Sequence, residues 1–339
     1  MWFILLLCRY TTMLELSACV LFVRVSHRAD CLPERDLLSI STRKELANPF
    51  THFSTSLLTE VFMRNSALQD IAALLGCPAA GNPAQYLFEH AIAATGLDWR
   101  FLTFDVSPDS LRDALKGIES LGFRGCVLDG PLRGQATPFM AGASPAATFS
   151  KAVDLVSCQK DGLFGHMTIG RGLVEAIRPH IDVAGSRVFL VGAGPAARAI
   201  ALELALAQVK EIFIANRSAP HATSLLNDLR ELPGVISTPL EWGPHLEVPS
   251  GVHLVVNATT SGIKPAFELS QLRPDLVVAD LALLSHQSPI LDAAMKAGAS
   301  VVNGLDIRAE ATAIDFQILT DIKPDTEMLR EALDEFLAA

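Results

Sequence analysis

Residues 187–218 constrain the fold of this chain more than any other stretch of its sequence. Residues 188–191 are an apolar run that predicts a strand, and they are followed by a glycine-containing turn. An alanine- and leucine-rich segment then predicts a helix over 196–207, and residues 212–214 predict a second strand. This order is typical of the first β-α-β unit of a dinucleotide-binding fold.

The turn has small residues where a pyrophosphate would need them. Gly192 permits a tight turn out of the strand, and Gly194 lets the backbone approach the phosphates. Free N–H groups at the helix N-terminus point toward such a ligand. The alternative is an ordinary tight turn. On the first interpretation the turn supplies these cofactor-binding residues: Gly192, Ala193, Gly194, Pro195 and Ala196.

The end of the second predicted strand indicates which dinucleotide binds. Enzymes that use NAD usually have Asp or Glu there, to hold the ribose 2′-hydroxyl. This chain has Asn216, Arg217 and Ser218 instead. A guanidinium and a hydroxyl suit a 2′-phosphate, which a carboxylate would repel. The sequence therefore predicts NADP as the cofactor, with a solvated loop arginine as the alternative for Arg217.

Composition limits the class of protein and its partners. The 339 residues, half of them apolar, are enough for two domain cores. A net charge of −10 without a long basic run argues against nucleic acid or an anionic membrane as partner. Six cysteines without metal-ligand spacing predict reduced thiols, no metal site and a cytoplasmic protein. The partner is then a small-molecule substrate, and the sequence leaves monomer and homodimer open.

The first 36 residues differ from the rest. Their two apolar runs contain or adjoin Arg9, Glu15 and Arg24, and neither reaches the roughly 18 uncharged residues of a spanning helix. No positive region precedes the first run, so a signal peptide fits poorly. We interpret residues 1–36 as a leader, with translation starting at Met13 or later, and a membrane anchor as the alternative.

From residue 37 the pattern predicts an α/β protein of two domains. Strands, helices and one loop alternate in the first domain, and a parallel Rossmann-type sheet followed by two helices forms the second. The predicted strands are 37–41, 98–105, 125–128, 253–256, 276–279 and 299–302. The predicted helices begin at Ser54 or Thr55, at Pro83 and at Ser107-Pro108, and the last two cover 307–320 and 325–337; residues 142–147 are predicted to be a loop.

Several motifs together resemble the shikimate dehydrogenase family. They are Asn48-Pro49 with His52, the 121–125 segment, the 165–170 segment, the 192–197 turn, the 216–218 segment, the 256–259 segment with Gly262, and the 303–305 segment. The resemblance implies a substrate domain over 37–168, an NADP domain over 169–304, and helices over 305–339 that return to the first domain. Strand ends would then add these cofactor residues: Asn257, Ala258, Thr259 and Gly304.

The chain departs from the family at the catalytic pair. The resemblance implies a lysine after the fourth strand and an aspartate in an Asn-Thr-Asp-Gly motif, which together handle the hydroxyl proton. Arg133 and Ile169 stand at those positions. A guanidinium, whose pKa lies above roughly 12, cannot release a proton near neutral pH, and isoleucine has none to give.

Other substrate positions differ as well. The family's Ser-x-Ser aligns with residues 53–55, so that only Thr55 keeps a hydroxyl; its strand threonine becomes Asp129, its asparagine Asp154 and its helix glutamine Ala311. The candidate catalytic residues are Arg133, Asp129 and Asp154. The candidate substrate-binding residues are Thr55, Asp129 and Asp154. Asp129 has an alternative role as a turn cap or as an ion-pair partner of Arg133, and His52, His166 and His286 are interpreted as packed or solvated.

Two functions remain open from the sequence. The first is an NADP-dependent oxidoreductase of shikimate dehydrogenase type, with hydride transfer to or from a hydroxylated ring acid such as shikimate and an altered catalytic pair. The second is a non-catalytic NADP-binding protein of the same family. Loss of both members of the pair favours the second, whereas the cofactor motifs are compatible with either.

Overall fold

The computed structural model describes residues 2–6, 20–24, 69–243, 246–259, 267–283 and 288–338. The chain divides into two compact units, Met1–Asn65 and Ser66–Ala339. In the first unit, strands β1 (Trp2–Leu6) and β2 (Val20–Arg24) pair antiparallel. Within the described ranges, no helix is long and apolar enough to cross a membrane.

Several predictions fall outside the described residues. They are the strand at 37–41, the helix from Ser54 or Thr55 to about 68, and the interpretations of His52, Thr55, Gly262 and His286. The domain boundary at residue 37 also stays a prediction.

The second unit contains two six-stranded sheets, and the first has the order β4-β3-β5-β7-β8-β6. Strand β3 pairs parallel with β4 and β5, and β7 pairs antiparallel with β5 and β8. The ranges are β3 (Asp70–Gly76), β4 (Trp99–Asp105), β5 (Gly125–Leu128), β6 (Gly142–Ala143), β7 (Leu155–Gln159) and β8 (Gly162–His166).

Comparison with the predicted elements gives a mixed result for this sheet. The strands predicted at 98–105 and 125–128 are confirmed. Strands β3, β7 and β8 were not predicted. The loop predicted over 142–147 is wrong, because β6 and helix α4 (Pro145–Ser150) occupy that segment.

Apolar residues on the two faces of β3 explain how this sheet is covered. Successive side chains of a strand point to opposite faces. Ala72 and Leu74 accordingly join one core, whereas Ala73 and Leu75 join the other. The helices that precede the second sheet are α1 (Ala84–Thr95), α2 (Leu111–Ser120), α3 (Leu132–Gln135), α4 and α5 (Ile169–Ile177).

The second sheet is parallel throughout, in the order β11-β10-β9-β12-β13-β14. This is the doubly wound order of dinucleotide-binding folds, so the predicted α/β class is confirmed. Helices cover a parallel sheet on both faces, which explains why β9 is one continuous apolar run. The strands are β9 (Arg187–Val191), β10 (Glu211–Ala215), β11 (Ile236–Leu240), β12 (Leu254–Asn257), β13 (Val277–Asp280) and β14 (Ser300–Val302).

Most elements of this sheet follow the predictions within two residues. Helix α6 (Pro195–Leu206) and five of the strands are confirmed. Strand β11 and helix α7 (Ala219–Arg230) were not predicted, and α8 (Pro289–Lys296) covers the sheet before β14.

Helix α9 (Gly304–Thr320) connects the two sheets. Its N-cap residue is Asn303, whose side chain caps the helix in a capping box with Asp306. Farther along, Phe316 packs in the same core as Leu74 of the first sheet. Together with α10 (Thr326–Ala338), α9 confirms the predicted pair of returning helices, and its first turns lie where the two sheets meet.

Candidate functional site

The glycine turn lies directly beneath the end of β12. Gly192 has a φ of 124°, and a Cβ atom there would lie 3.0 Å from the carbonyl oxygen of Ala258. The amide of Gly192 donates to the carbonyl of Ala215 at 2.8 Å, and the amide of Ala258 donates to Val191 at 2.8 Å. Conformation and space therefore both require glycine at position 192.

The start of α6 is open to an incoming phosphate. Gly194 is the N-cap residue, and no side chain caps the helix there. A Cβ atom on Gly194 would meet no other atom within 4 Å. Pro195, the first residue of α6, has no N–H, so the free N–H groups of Ala196 and Ala197 have room for an anion, which the positive end of the helix attracts. A pyrophosphate fits this turn.

Arg217 is available to a further phosphate. Its side chain is exposed, and it makes no hydrogen bond or ion pair within the described part of the chain. The side-chain Nδ2 of Asn216 donates to the backbone carbonyl oxygen of Ser218 at 2.9 Å and so holds the loop that contains Arg217. The residues present fit a ribose 2′-phosphate.

Hydrogen bonds connect the C-terminal ends of β12 and β13. Asn257 Nδ2 donates to Asp280 Oδ1 at 2.9 Å, and Thr259 Oγ1 donates to Asn257 Oδ1 at 2.8 Å. At Gly304, a Cβ atom would lie 2.4 Å from the carbonyl oxygen of Ala282. The predicted cofactor residues of the strand ends therefore lie together at one edge of the sheet.

A cavity of about 400 Å³ extends from this edge toward the first sheet. The lining residues from the second sheet are apolar apart from Thr259, and two arginines, Arg133 and Arg308, also line the cavity. The lining residues are Arg133, Ile169, Ala196, Ala258, Thr259, Leu281, Ala282, Leu283, Gly304, Ile307 and Arg308. Arg133 and Ile169, which stand at the positions of the family's catalytic pair, thus share a cavity with predicted cofactor residues, whereas Asp129 and Asp154 do not line it.

Asp129 is held as a carboxylate by its neighbours. It accepts from Asn82 Nδ2 at 2.6 Å and from the amide of Gly130 at 2.7 Å, and its Oδ1 lies 3.2 Å from Arg133 Nη2. Burial alone would raise the pKa of Asp129, but these hydrogen bonds and the charges of Arg133 and Arg308 lower it. The ion-pair interpretation of Asp129 agrees with this geometry, and a role as proton donor does not.

Asp154 lies behind the cavity wall and caps α5. It is 5% exposed and accepts from the amides of Thr168 at 2.9 Å and Ile169 at 3.3 Å. The Thr168 hydroxyl donates to Asp315 Oδ1 at 2.7 Å and lies 3.4 Å from Asp154 Oδ2. Thr168 therefore links two buried carboxyl groups.

Both of these carboxyl groups have a raised pKa. Burial raises the pKa of Asp154, against the charge of Arg133 and the hydrogen bond from Thr168. Burial and the charge of Asp154 raise the pKa of Asp315 to about 8. Backbone amides that donate to Asp154 favour its ionised form, so we place the proton on Asp315.

Arg308 was missed by the sequence analysis, although its spacing gave a signal. Arg308, Thr312 and Asp315 recur at i, i+4 and i+7 on α9, a polar stripe on an otherwise buried helix. Arg308 lines the cavity, and its Nε is buried without a hydrogen-bond partner. Asn82, which contacts Asp129, was also missed.

His166 agrees with its interpretation as a packed residue. Its Nε2 lies 3.0 Å from Ser157 Oγ, and burial lowers its pKa. A neutral imidazole with a partner in the sheet has no role in the cavity.

Two family models match the chain. The shikimate dehydrogenase substrate binding domain matches residues 74–156, and shikimate / quinate 5-dehydrogenase matches residues 173–242. The first match begins within β3, so the motif that the sequence analysis placed at 48–55 lies upstream of it.

Individual relatives cover most of the chain. A shikimate dehydrogenase (NADP(+)) of Desulforamulus reducens is 30% identical over 278 residues, which are 79% of this chain and 96% of the relative. A 5-ketofructose reductase of Gluconobacter sp. strain CHM43 is 28% identical with a TM-score of 0.76, over 80% of this chain and 99% of that one. A shikimate dehydrogenase solved with NADP+ is 26% identical with a TM-score of 0.72, over 80% of this chain and 96% of that one. On this similarity, the chain belongs to the shikimate dehydrogenase family.

Proposed function

We propose that this protein is an NADP-dependent oxidoreductase that transfers a hydride between NADP and a small hydroxylated acid, such as shikimate or a related ring acid, through an altered catalytic pair. The observation that carries the proposal is the single cavity. It joins Ala196, Ala258 and Thr259 of the dinucleotide side to Arg133 and Ile169 of the substrate side.

The cofactor half of the proposal rests on the turn and on Arg217. Amides at the start of α6 would hold the pyrophosphate, and Arg217 with Ser218 would hold the 2′-phosphate. NADP is named for the relative from Desulforamulus reducens and for the solved shikimate dehydrogenase. When bound, the nicotinamide supplies or accepts the hydride.

On the substrate side, the chain's own residues can orient and polarise a substrate. Arg133 presents donors that can bind a substrate oxygen, and Ile169 and Ile307 add apolar side chains to the cavity lining. Among the described lining residues, none ionises near neutral pH. The proton that accompanies the hydride must therefore be exchanged with water, and we expect slow turnover.

Asp129 and Asp154, the candidate catalytic aspartates, are poorly suited to act as the acid. Asp129 has a lowered pKa, and Asp154 uses its oxygens to cap α5 behind the cavity wall. We therefore assign both residues to positioning, Asp129 of Arg133 and Asp154 of the start of α5. Thr55 stays a candidate for substrate binding, and Asn82 becomes a second candidate, because it reaches Asp129.

The alternative function is an NADP-binding protein without catalysis. The observation that favours it is the same set of lining residues, which keeps a cofactor edge but offers no acid–base group within the described part of the cavity.

One experiment separates the two functions. Purified protein is titrated with NADP and then incubated with NADP and shikimate or quinate, and with NADPH and 5-ketofructose, while reduced nicotinamide is followed. Binding with turnover of an acid supports the oxidoreductase. Binding without turnover supports the alternative, and turnover of 5-ketofructose alone would replace the substrate class. Failure to bind NADP would overturn both functions.

A further inference from the structure

The Arg308 guanidinium has no direct ion-pair partner among the described residues. It makes no hydrogen bond to them either, and its Nε is buried. Burial, followed by the charge of Arg133, lowers the pKa of Arg308, while Asp315, Asp154 and Asp129 oppose this effect at longer range. A guanidinium nevertheless remains charged at neutral pH. A half-buried charge without a direct partner costs free energy, which an anion in the cavity would offset.

The carboxylates nearest to Arg308 are already engaged. Asp129 accepts from Asn82, Gly130 and Arg133. Asp154 accepts from two backbone amides, and Asp315 accepts from the Thr168 hydroxyl. The raised pKa values of Asp154 and Asp315 reduce the negative charge that these two carboxyl groups present to Arg308.

Arg133 supplies the second cation on this wall. Its Nε donates to the carbonyl oxygen of Leu128 at 2.9 Å, and one Nη donates to Asp129 at 3.2 Å. These bonds fix the plane of the guanidinium and leave further N–H donors of its fork free. Two guanidinium groups that line one cavity favour a planar anion that can accept from both.

We propose that Arg133 and Arg308 form a carboxylate-binding subsite, so that the substrate is a small hydroxy or oxo acid held by its carboxylate on the wall opposite the cofactor edge. The substrate half of this inference rests on the proposed function, whereas the anion site can be tested without turnover. Thr259 and the apolar residues of the other wall would contact the remainder of the substrate.

The test measures binding of benzoate and its uncharged counterpart benzamide by calorimetry, with and without NADP. Neither probe has a hydroxyl group to oxidise. We expect the full chain to bind benzoate at least about tenfold more tightly than benzamide. Arg308→Met should lose at least about tenfold in benzoate affinity, and Arg308→Lys should retain part of it.

Two further variants complete the comparison. Arg133→Met should also lose benzoate affinity. If Arg308→Met shows no cooperative unfolding transition, Arg133→Met alone tests the subsite. Arg112→Met is the matched control, because Arg112 is an exposed arginine of α2 without a partner in the described chain. Its benzoate affinity should equal that of the unmodified chain.

Equal binding of benzoate and benzamide would overturn the subsite, as would unchanged benzoate affinity in both Arg308→Met and Arg133→Met. The NADP titration keeps the two proposals separate. Benzoate binding without NADP binding would leave the anion site standing and overturn the oxidoreductase. NADP binding and turnover, with equal binding of benzoate and benzamide, would support the oxidoreductase and overturn the anion site.

Discussion

Arg217 is the residue on which the choice between NADP and NAD depends. Its guanidinium is exposed and without a partner among the described residues, so a 2′-phosphate would compete with water alone. We expect Arg217→Asp to weaken NADP binding by at least about tenfold, or about 1.4 kcal/mol, and to leave NAD binding equal or tighter. Calorimetric titration with both cofactors measures this.

Arg230→Asp is the matched control for that substitution. Arg230 is an exposed arginine at the end of α7, the helix that Ser218 precedes. The same charge change there should leave the ratio of the two affinities unchanged. Equal loss in both variants would mean that only the overall charge matters and that Arg217 does not bind the 2′-phosphate.

Gly194 permits a test of the pyrophosphate site that does not depend on destabilising the fold. A Cβ atom there would meet no other atom within 4 Å, and aspartate is a favourable N-cap residue. Gly194→Asp should therefore keep or raise the melting temperature while its carboxylate repels the phosphates. We expect loss of NADP binding with an intact unfolding transition. Gly194→Asn, which lacks the charge, should weaken binding less, and equal effects of the two would argue against repulsion.

Helix α9 carries Asp315, whose ionisation should make the stability of the protein depend on pH. Asp315 faces Thr168, Asp154, Arg308 and Arg133, and its pKa is raised to about 8. A carboxyl whose folded pKa exceeds its unfolded pKa contributes stability at low pH, and that stability is lost as the pH rises through the folded value. The free energy of unfolding should fall between pH 4 and pH 8, by at most about 1.4 kcal/mol per pH unit from this group.

The substitution Asp315→Asn isolates that contribution. Asparagine can still accept from the Thr168 hydroxyl, and it carries no charge at any pH. We expect urea unfolding from pH 5 to pH 9 to show a shallower decrease in stability for Asp315→Asn than for the unmodified chain. Asp325→Asn, outside this cluster, serves as the control. Parallel curves for all three proteins would show that Asp315 is already ionised in the folded state.

The glycine turn and Arg217 could be predicted from the sequence, whereas the contact between Thr168 and Asp315 of α9 could not. The unit of β9, α6 and β10 is continuous in the chain, so its glycine turn and Arg217 could be predicted from local pattern. The Thr168–Asp315 contact joins residues 147 apart in sequence, and no local pattern signals it. Strand β7 was missed because Ser157 and Gln159 interrupt its apolar run, and only pairing with β5 and β8 stabilises it.

At the scale of the whole molecule, α9 makes the two sheets interdependent. Gly172 of α5 lies so close to α9 that a Cβ atom there would approach Ala311 Cβ to 2.8 Å, and Phe316 lies in the core of the first sheet. Small residues at this crossing let the helices approach each other closely. Arg308 and Gly304, which both line the cavity, thus belong to one helix.

We expect the unit Ser66–Ala339 to fold without residues 1–65. Among the described residues, the four apolar cores are built from residues 71–337, all within the unit Ser66–Ala339. A chain that begins at Ser66 should therefore unfold cooperatively and bind NADP with unchanged affinity, because the cofactor residues described above all lie after it. Thermal unfolding measures the cooperativity, and calorimetry measures the NADP affinity.

A chain that begins at Ala80 is the control. It lacks β3, which pairs with both β4 and β5, and it should not fold. Loss of cooperative unfolding in the Ser66 chain would show that residues 1–65 complete a core, and normal unfolding with loss of benzoate binding would show that they complete the substrate side of the cavity.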